Sequence, residues 1–593
     1  MKNLTAHLNA TLSEAFASAG LETTHATVVP SGRPELADYQ CNGALALAKP
    51  MGKNPRELAE TILAELKKSD AEGAMFAELS IAGPGFINIK LSDAFLASHA
   101  HGLLTSPTLG FPRTEKPDTI ILDYAGPNMG KPMHVGHLRP TIIGESLKRM
   151  LNFAGHNAQG DVHFGDWGMP MGMIIAELEH DHPEWPFFEE GKTDGFPTES
   201  PIDIDEIGAI YRKAAARGKE DEDVRRKARL TAAALQEEHP GYIALWKLLR
   251  GVSFESAKKN FLRLNATFEL WLGESDVRQM LAPMIDELKD KKIAELDDGA
   301  IIIRFDEEKK MPPALIEKSD GGYTYATTDL ATIKLRTEDY GTNRIIYIVD
   351  RRQSLHFQQV FESARMADYA NYELTHAAIG TINGPDGTPL KSREGAPPKL
   401  DDLLNAAIDK AREKLPEVGS EKAEGFTQED LDNLATEIGV ATIKFQDLHN
   451  NRNTEYIFDL EQFSRFEGKT GPYLQYSVAR INSIFEKAGL DVANKGEPIK
   501  VTHASERNLI LSIANFTDAL NRSIERYEPS ALCEQVYTVA QKFSAFYNDC
   551  PILSTEDEAV KASRLTLAAL TRAHQLVCLD LLGIAAPHKM LTR

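Results

Sequence analysis

The sequence predicts a multidomain α/β protein with three parts: a compact N-terminal α/β unit, a parallel-sheet domain carrying a helical insertion, and an all-α C-terminal bundle. Three observations predict it. Short apolar runs, Ile120-Ile121-Leu122 and Ile345–Val349, alternate with helical patterns, which is the order of βαβ units. From about Asp401 onward the apolar spacing is almost entirely helical. The chain has 593 residues, room for three to five domains at about 100–200 residues each.

The elements follow in chain order. Asn54 to Lys68 has apolar residues at helical spacing behind Asn54, a good N-cap. Gly83 to Leu91 alternates after a Gly-Pro-Gly turn and reads as a strand. The Pro- and Gly-containing stretch Ser106 to Pro117 marks the first boundary. Then Ile120–Leu122 forms a buried strand, and a loop with Gly126, Pro127, Gly130 and Pro132 follows. A helix comes next, with apolar positions Leu138, Ile142, Ile143, Leu147 and Leu151, and Gly155 stops it. Ile301–Phe305 and Ile345–Val349 are expected as further strands of the same parallel sheet. The insertion, about 180–295, is polar and helical, and its run Gly218–Leu230 reads as a solvated helix face. Leu509, Ile513, Phe516, Leu520 and Ile524 make one stripe. Pro529 and Ser530 break the chain, and Val536, Ala540, Phe543 and Tyr547 make the next stripe. No internal repeat is present.

Composition narrows the function. Acids outnumber bases, 87 to 66, for a formal charge of −21, which argues against a generally basic nucleic-acid binder but not against a local basic patch. The four cysteines, Cys41, Cys533, Cys550 and Cys578, form no C-x-x-C pair and no structural-zinc spacing. They read as reduced thiols of a cytosolic protein. The start, with Glu14 where a signal peptide needs an apolar core, and the lack of any run of about 18 apolar residues give the expectation of a soluble cytoplasmic protein.

The chemistry concentrates in Asp123-Tyr-Ala-Gly-Pro-Asn128-Met-Gly-Lys131-Pro-Met-His134-Val-Gly136-His137. It lies between a strand and a helix, where free N–H groups and the helix dipole favour an anion. Two histidines flank Gly136, whose bare backbone lets a base or phosphate come close. Lys131 adds positive charge, and the whole suits a polyphosphate. A lone H-x-x-H is otherwise a core or surface pair, or half of a metal site with no third ligand nearby.

This stretch resembles arginyl-tRNA synthetases, class I aminoacyl-tRNA synthetases with a Rossmann-like core. His134-Val-Gly-His137 is similar to the HIGH motif, and P-N-x-x-K-P-M-H-V-G-H-L-R to the arginyl flank. Gly165-Asp-Trp-Gly168, Ser319 to Asp329, Gln353-Ser-Leu-His356, Glu467 to Tyr476 and Leu581 to Pro587 continue the resemblance in order. It implies an N-terminal tRNA-contacting domain (1–112), a catalytic domain (113–395), a helical connection (396–460) and a C-terminal anticodon-binding domain (461–593). It also implies ATP-dependent formation of arginyl-adenylate, transfer of arginine to the 3′ adenosine of tRNA(Arg), tRNA-dependent activation, magnesium arriving with ATP, no zinc or other resident metal, and a monomer.

The resemblance further assigns roles. Lys131, His134, His137, Lys391 and Arg393 act on the phosphates, and His134, Gly136, His137 and His356 bind ATP. Asp123, Asn128, His137, Tyr325, Asp329 and Gln353 line the arginine site, with Asp123 and Asp329 toward the guanidinium. A selective site for a planar, always charged group requires such carboxylates. Asn42, Tyr473, Tyr476 and Arg480 are assigned to tRNA, the last three offering stacking faces and charge, with core aromatics as the alternative. The usual KMSK loop reads Lys391-Ser-Arg393-Glu394 and lacks its second lysine; members with this departure rely on the lysine ahead of the histidines, here Lys131. Two usual serines are Ala125 and Gly126, and Pro170 replaces a polar residue. Another class I synthetase, an H-x-G-H nucleotidyltransferase and a non-catalytic RNA-binding relative are the alternatives.

Overall fold

A computed structural model describes residues 3–70, 72–384, 386–388, 398–459, 465, 467–491 and 497–591. The chain divides into two compact units: residues 1–114, 414–441 and 465–593 form one, and residues 115–413 and 442–464 the other.

The first unit begins with α1 (Leu4–Ser18), capped by Asn3, then β1 (Val28–Pro30), β2 (Tyr39–Cys41), α2 (Gly43–Met51) and α3 (Pro55–Ser69). Asn54 accepts the amide hydrogen bond of Arg56, so the cap read from sequence is the cap observed. β3 (Phe76–Ala82), β4 (Phe86–Leu91) and α4 (Asp93–Thr105) complete an antiparallel sheet of order β1-β2-β4-β3.

The second unit is built on a parallel sheet. β5 (Thr119–Tyr124), α5 (Leu138–Phe153) and β6 (Asn157–Asp161) make the βαβ unit. Ile120, Ile121 and Leu122 are fully buried, as a strand covered on both faces requires. The insertion follows as α6 (Met169–Asp181), α7 (Ile204–Glu220), α8 (Glu222–Gln236), α9 (Pro240–Arg263) and α10 (Leu281–Asp290). The run read as one solvated face is broken at Asp221, whose extended backbone ends α7 and whose side chain caps α8.

One strand expectation fails. Ile301–Phe305 does not join the parallel sheet: β8 (Ala300–Ile303) pairs antiparallel with β7 (Ala294–Asp297) and β9 (Ala314–Glu317) in a separate sheet. The two-residue turn Asp298-Gly299, with both residues at positive φ, makes β7–β8 a hairpin, and an apolar run alone does not distinguish the two pairings. After α11 (Tyr325–Glu338), β10 (Arg344–Ile348) does pair parallel with β5, and α12 (Ser354–Met366) leads to β11 (Glu373–His376), for the order β11-β10-β5-β6. β12 (Ile382–Asn383) pairs with β13 (Tyr456–Ile457) across α13 (Leu400–Arg412) and α14 (Gln428–Leu448).

The remaining helices belong to the first unit: α15 (Gly471–Ala488), α16 (Ala504–Ala514), α17 (Phe516–Arg526), α18 (Ser530–Asp549) and α19 (Glu558–Leu581). The stripe from Leu509 to Ile524 spans two helices divided at Asn515, and Tyr547 is 39% exposed while Val536, Ala540 and Phe543 are buried. Within this unit Arg507 of α16 forks onto Asp38 at 2.9 and 2.8 Å and reaches Leu91 O at 2.7 Å, tying the bundle to the N-terminal sheet. Among the described residues no helix is long and apolar enough to cross a membrane.

Candidate active site

Asp123 and Asp161 face each other in register at the carboxyl ends of β5 and β6, where open α/β sheets bind ligands. A cleft of about 820 Å³ opens there. Asp123, Asn128, His134, Gly136, Tyr325, Asp329, Gln353 and His356 all line it, so the structure brings these sequence-assigned residues together.

His134 caps the short turn Val135–His137. Its Nδ1 accepts the Gly136 amide at 3.0 Å, and the His134 amide points at His137 Nδ1, also 3.0 Å away. The His134 carbonyl already takes the His137 amide at 2.8 Å. Both Nδ1 atoms are therefore acceptors, and each ring carries its proton on Nε2. A Cβ on Gly136 would sit 2.8 Å from His134 Cε1, so this glycine makes room for the histidine ring as well as for a ligand. Burial depresses both imidazoles: His134 below its ordinary value, and His137 to about 3, with Lys131 and the neighbouring ring adding to it. At neutral pH they are neutral donors, and Lys131 is the cation of this turn. His137 is buried and does not reach the cleft surface; it holds the backbone of His134. Lys131 is exposed beside the site, its Nζ over the Tyr211 ring at 4.4 Å.

The acids divide by what they already hold. Arg336 of α11, fully buried, donates to Asp123 at 2.6 Å and to Asp161 at 2.5 Å. Burial raises Asp123 even so, Arg336 pulling the other way. Asp329 accepts from His356 Nε2 at 2.5 Å. Glu274 also lines the cleft, near His163, Asp166 and Asp329, and burial pushes its carboxyl up to about 7. No described Lys or Arg pairs with it. Asp123 thus spends its charge on Arg336, while Asp329 and Glu274 face the cleft with no described Lys or Arg on them.

Sequence reading did not reach Glu274, Asp161 or Arg336. Glu274 follows an extended segment that runs parallel beside β6 and its continuation through the bridges Asp161 to Leu270 and Phe164 to Gly273; an acid straight after that glycine is the one local signal. Arg336 sits in the last turn of α11 with no motif. Asp123, Asp161 and His163 could together hold a metal ion, but the Arg336 guanidinium already lies on both carboxylates, so a resident ion does not fit there.

The remaining assignments lie elsewhere. Lys391 and Arg393, with Glu394, fall outside the described residues. Asn42 is exposed at the start of α2. On the bundle Arg480 lies over Tyr476 at 4.9 Å and over Tyr547 at 5.4 Å, and Tyr473 meets Tyr537 edge-on at 5.6 Å. Ala125 and Gly126, in place of two hydroxyls, both take positive φ, 79° and 46°, at the turn out of β5.

Glu274 predicts a pH effect. A bound cation favours its ionised form, so the affinity of this cleft for a cationic ligand is expected to fall as pH drops below about 7, where Glu274 takes up a proton. One linked proton gives at most about tenfold per pH unit. A titration of cationic-ligand affinity from pH 6 to 8 checks this, and Glu274→Gln is expected to flatten the dependence.

The family described as tRNA synthetases class I (R), catalytic domain, matches residues 100–460. The DALR anticodon binding domain matches 474–590, and the arginyl tRNA synthetase N terminal domain matches 2–91. A protein named arginine–tRNA ligase from Alkaliphilus oremlandii is 40% identical over 596 residues, all of both chains. One of the same name from Hyphomonas neptunium is 42% identical over 597 residues, again all of both. The solved arginyl-tRNA synthetase of Plasmodium falciparum superposes with TM-score 0.82 at 26% identity over all of both chains. That of Thermus thermophilus gives 0.76 at 22%, a likeness of fold, over 99% and 100%. With its catalytic, N-terminal and bundle segments all matched, and full-length relatives of that name, the chain belongs to the arginyl-tRNA synthetase family of class I aminoacyl-tRNA synthetases.

Proposed function

We propose that this chain activates L-arginine with ATP, releasing pyrophosphate, and passes the arginyl group to the 3′-terminal adenosine of tRNA(Arg). The observation that supports it is the juxtaposition, in one cleft, of the His134–Gly136 turn with the acids Asp329 and Glu274. The substrate carboxylate attacks the α-phosphate and is already an anion, so no general base is needed; positioning and relief of phosphate charge do the work. His134 offers its Nε2–H and Gly136 its bare backbone to the nucleotide. Asp329 and Glu274 take the guanidinium, while Asn128 and Gln353 suit the amino and carboxylate end. Magnesium enters with the ATP phosphates. His137 acts by holding His134, and Lys131, Lys391, Arg393 and His356 are read as phosphate or nucleotide contacts. On the bundle, Tyr473, Tyr476 and Arg480 present stacking faces to unpaired bases, and Asn42 serves the N-terminal contact. The chain is read as a cytoplasmic monomer.

Charging total tRNA with each of twenty labelled amino acids tests the proposal. Arginine alone is expected to be incorporated; incorporation of another in its place refutes it. His134→Ala is expected to cut kcat for arginine-dependent ATP–pyrophosphate exchange by ~10²–10³, the usual cost of one oriented donor. Unchanged exchange removes His134 from the chemistry. Exchange at full rate without tRNA would count against tRNA-dependent activation alone.

A further inference from the structure

A second cavity, of about 660 Å³, lies in the helical insertion, walled by α6, α7 and α8. Its size falls within the ~300–1,000 Å³ of small-molecule sites. The walls are fixed: α6 and α8 touch backbone to backbone at Gly172, where a Cβ would lie 2.4 Å from Ala228 O. Beside that contact the floor is apolar, made by Met169, Met173, Ala176, Ala214, Val224 and Ala228. Two methionines give it an adaptable surface.

The rim is charged, and its charges are mostly matched. Arg217 pairs with Glu177 at 2.6 Å, Lys227 with Glu179 at 2.9 Å, Arg225 with Glu222 at 3.2 Å, and Asp223 with Arg226 at 3.2 Å. Lys219 lines the same rim and has no carboxylate partner among the described residues. An apolar floor under an uncompensated ammonium selects a ligand with an apolar body and one acidic group.

The cavity is also joined to the active site. α7 walls it with its last turns, while the first turns of α7 carry Ile207 and Tyr211. Tyr211 lies under Lys131, and Ile207 shares a core with Met129, Ile174 and Met171. Asp205 of the first turn holds Lys399 at 2.7 Å, and Lys399 bridges to His134. A tilt of this one helix therefore moves both the Lys131 loop and the turn of His134.

We propose that the cavity between α6, α7 and α8 is a regulatory site for a small amphipathic organic anion, whose binding alters nucleotide affinity through α7. Such an effect requires a ligand that prefers one setting of α7 over another.

The probe is 1-anilinonaphthalene-8-sulfonate, on the full chain. One saturable fluorescent site is expected, with hydrogen-exchange protection confined to α6–α8. Ala215→Trp, which fills the cavity, is expected to weaken binding at least tenfold without loss of pyrophosphate exchange. Lys219→Glu is expected to weaken it about fivefold, and to leave the neutral N-phenyl-1-naphthylamine unaffected. Saturating probe should shift the ATP KM at least twofold in the unaltered chain and not in Ala215→Trp. Protection elsewhere, or binding unmoved by Ala215→Trp, overturns the site. An unmoved ATP KM overturns the regulation. Should Ala215→Trp fail to fold, the exchange map and Lys219→Glu decide.

Discussion

Arg336→Met is expected to destabilise the catalytic unit by about 3–5 kcal/mol, because it leaves two carboxylates in the interior with no cation between them. Asp161 is fully buried and Asp123 nearly so, and one guanidinium serves both at 2.6 and 2.5 Å. Methionine fills much of the volume but brings no donor. Burial already raises Asp123, so in the variant a proton can replace the missing cation. The sign follows. A carboxyl held above its unfolded value costs stability once pH exceeds that unfolded value, and the cost is relieved as pH falls. The deficit should therefore be smaller at pH 5 than at pH 8. Urea unfolding of the variant and the parent at both values measures it. An equal deficit at both would mark lost packing rather than unpaired charge. Arg336→Lys keeps the charge but not the fork and is expected to fall between.

Glu274→Ala is expected to raise the arginine KM by ~30–5,000-fold, the 2–5 kcal/mol lost when one member of a desolvated charge pair is removed. The effect should exceed that of Asp123→Asn on the same constant, since Asp123 is occupied by Arg336. Glu274→Asp should recover part of the loss. Pyrophosphate exchange over a range of arginine concentrations gives both constants. A larger KM effect at Asp123 than at Glu274 would return the recognition role to Asp123. Asp329 is expected to resemble Glu274, with the added loss of its hold on His356.

How much was legible in the sequence depends on range. Elements signalled by neighbours were read well: the Asn54 cap, the β5 strand with the α5 helix after it, and the break at Pro529 all depend on a few adjacent residues. The partner of Ile301 was not, because a four-residue apolar strand looks alike in either sheet. The site divides in the same way. The His134 turn and the Tyr325–Asp329 segment lie in contiguous motifs. Arg336 acts on an acid 213 positions away and another 175 away, and no local pattern records that. The charge state of the histidines is not legible in the sequence, for a related reason. Burial decides it, and burial is a property of the finished fold.

The tie between Arg507 and Asp38 also bears on how the protein is made. The two residues are 469 positions apart, so at ~5–20 residues per second the nascent N-terminal sheet waits roughly half a minute or more for the helix that clasps it. During translation Asp38 is held by the Leu91 amide alone, and its free oxygen and the Leu91 carbonyl are satisfied by water. Closure of this unit is among the last events on the ribosome, and a message cut short before codon 507 yields a product that can never complete it.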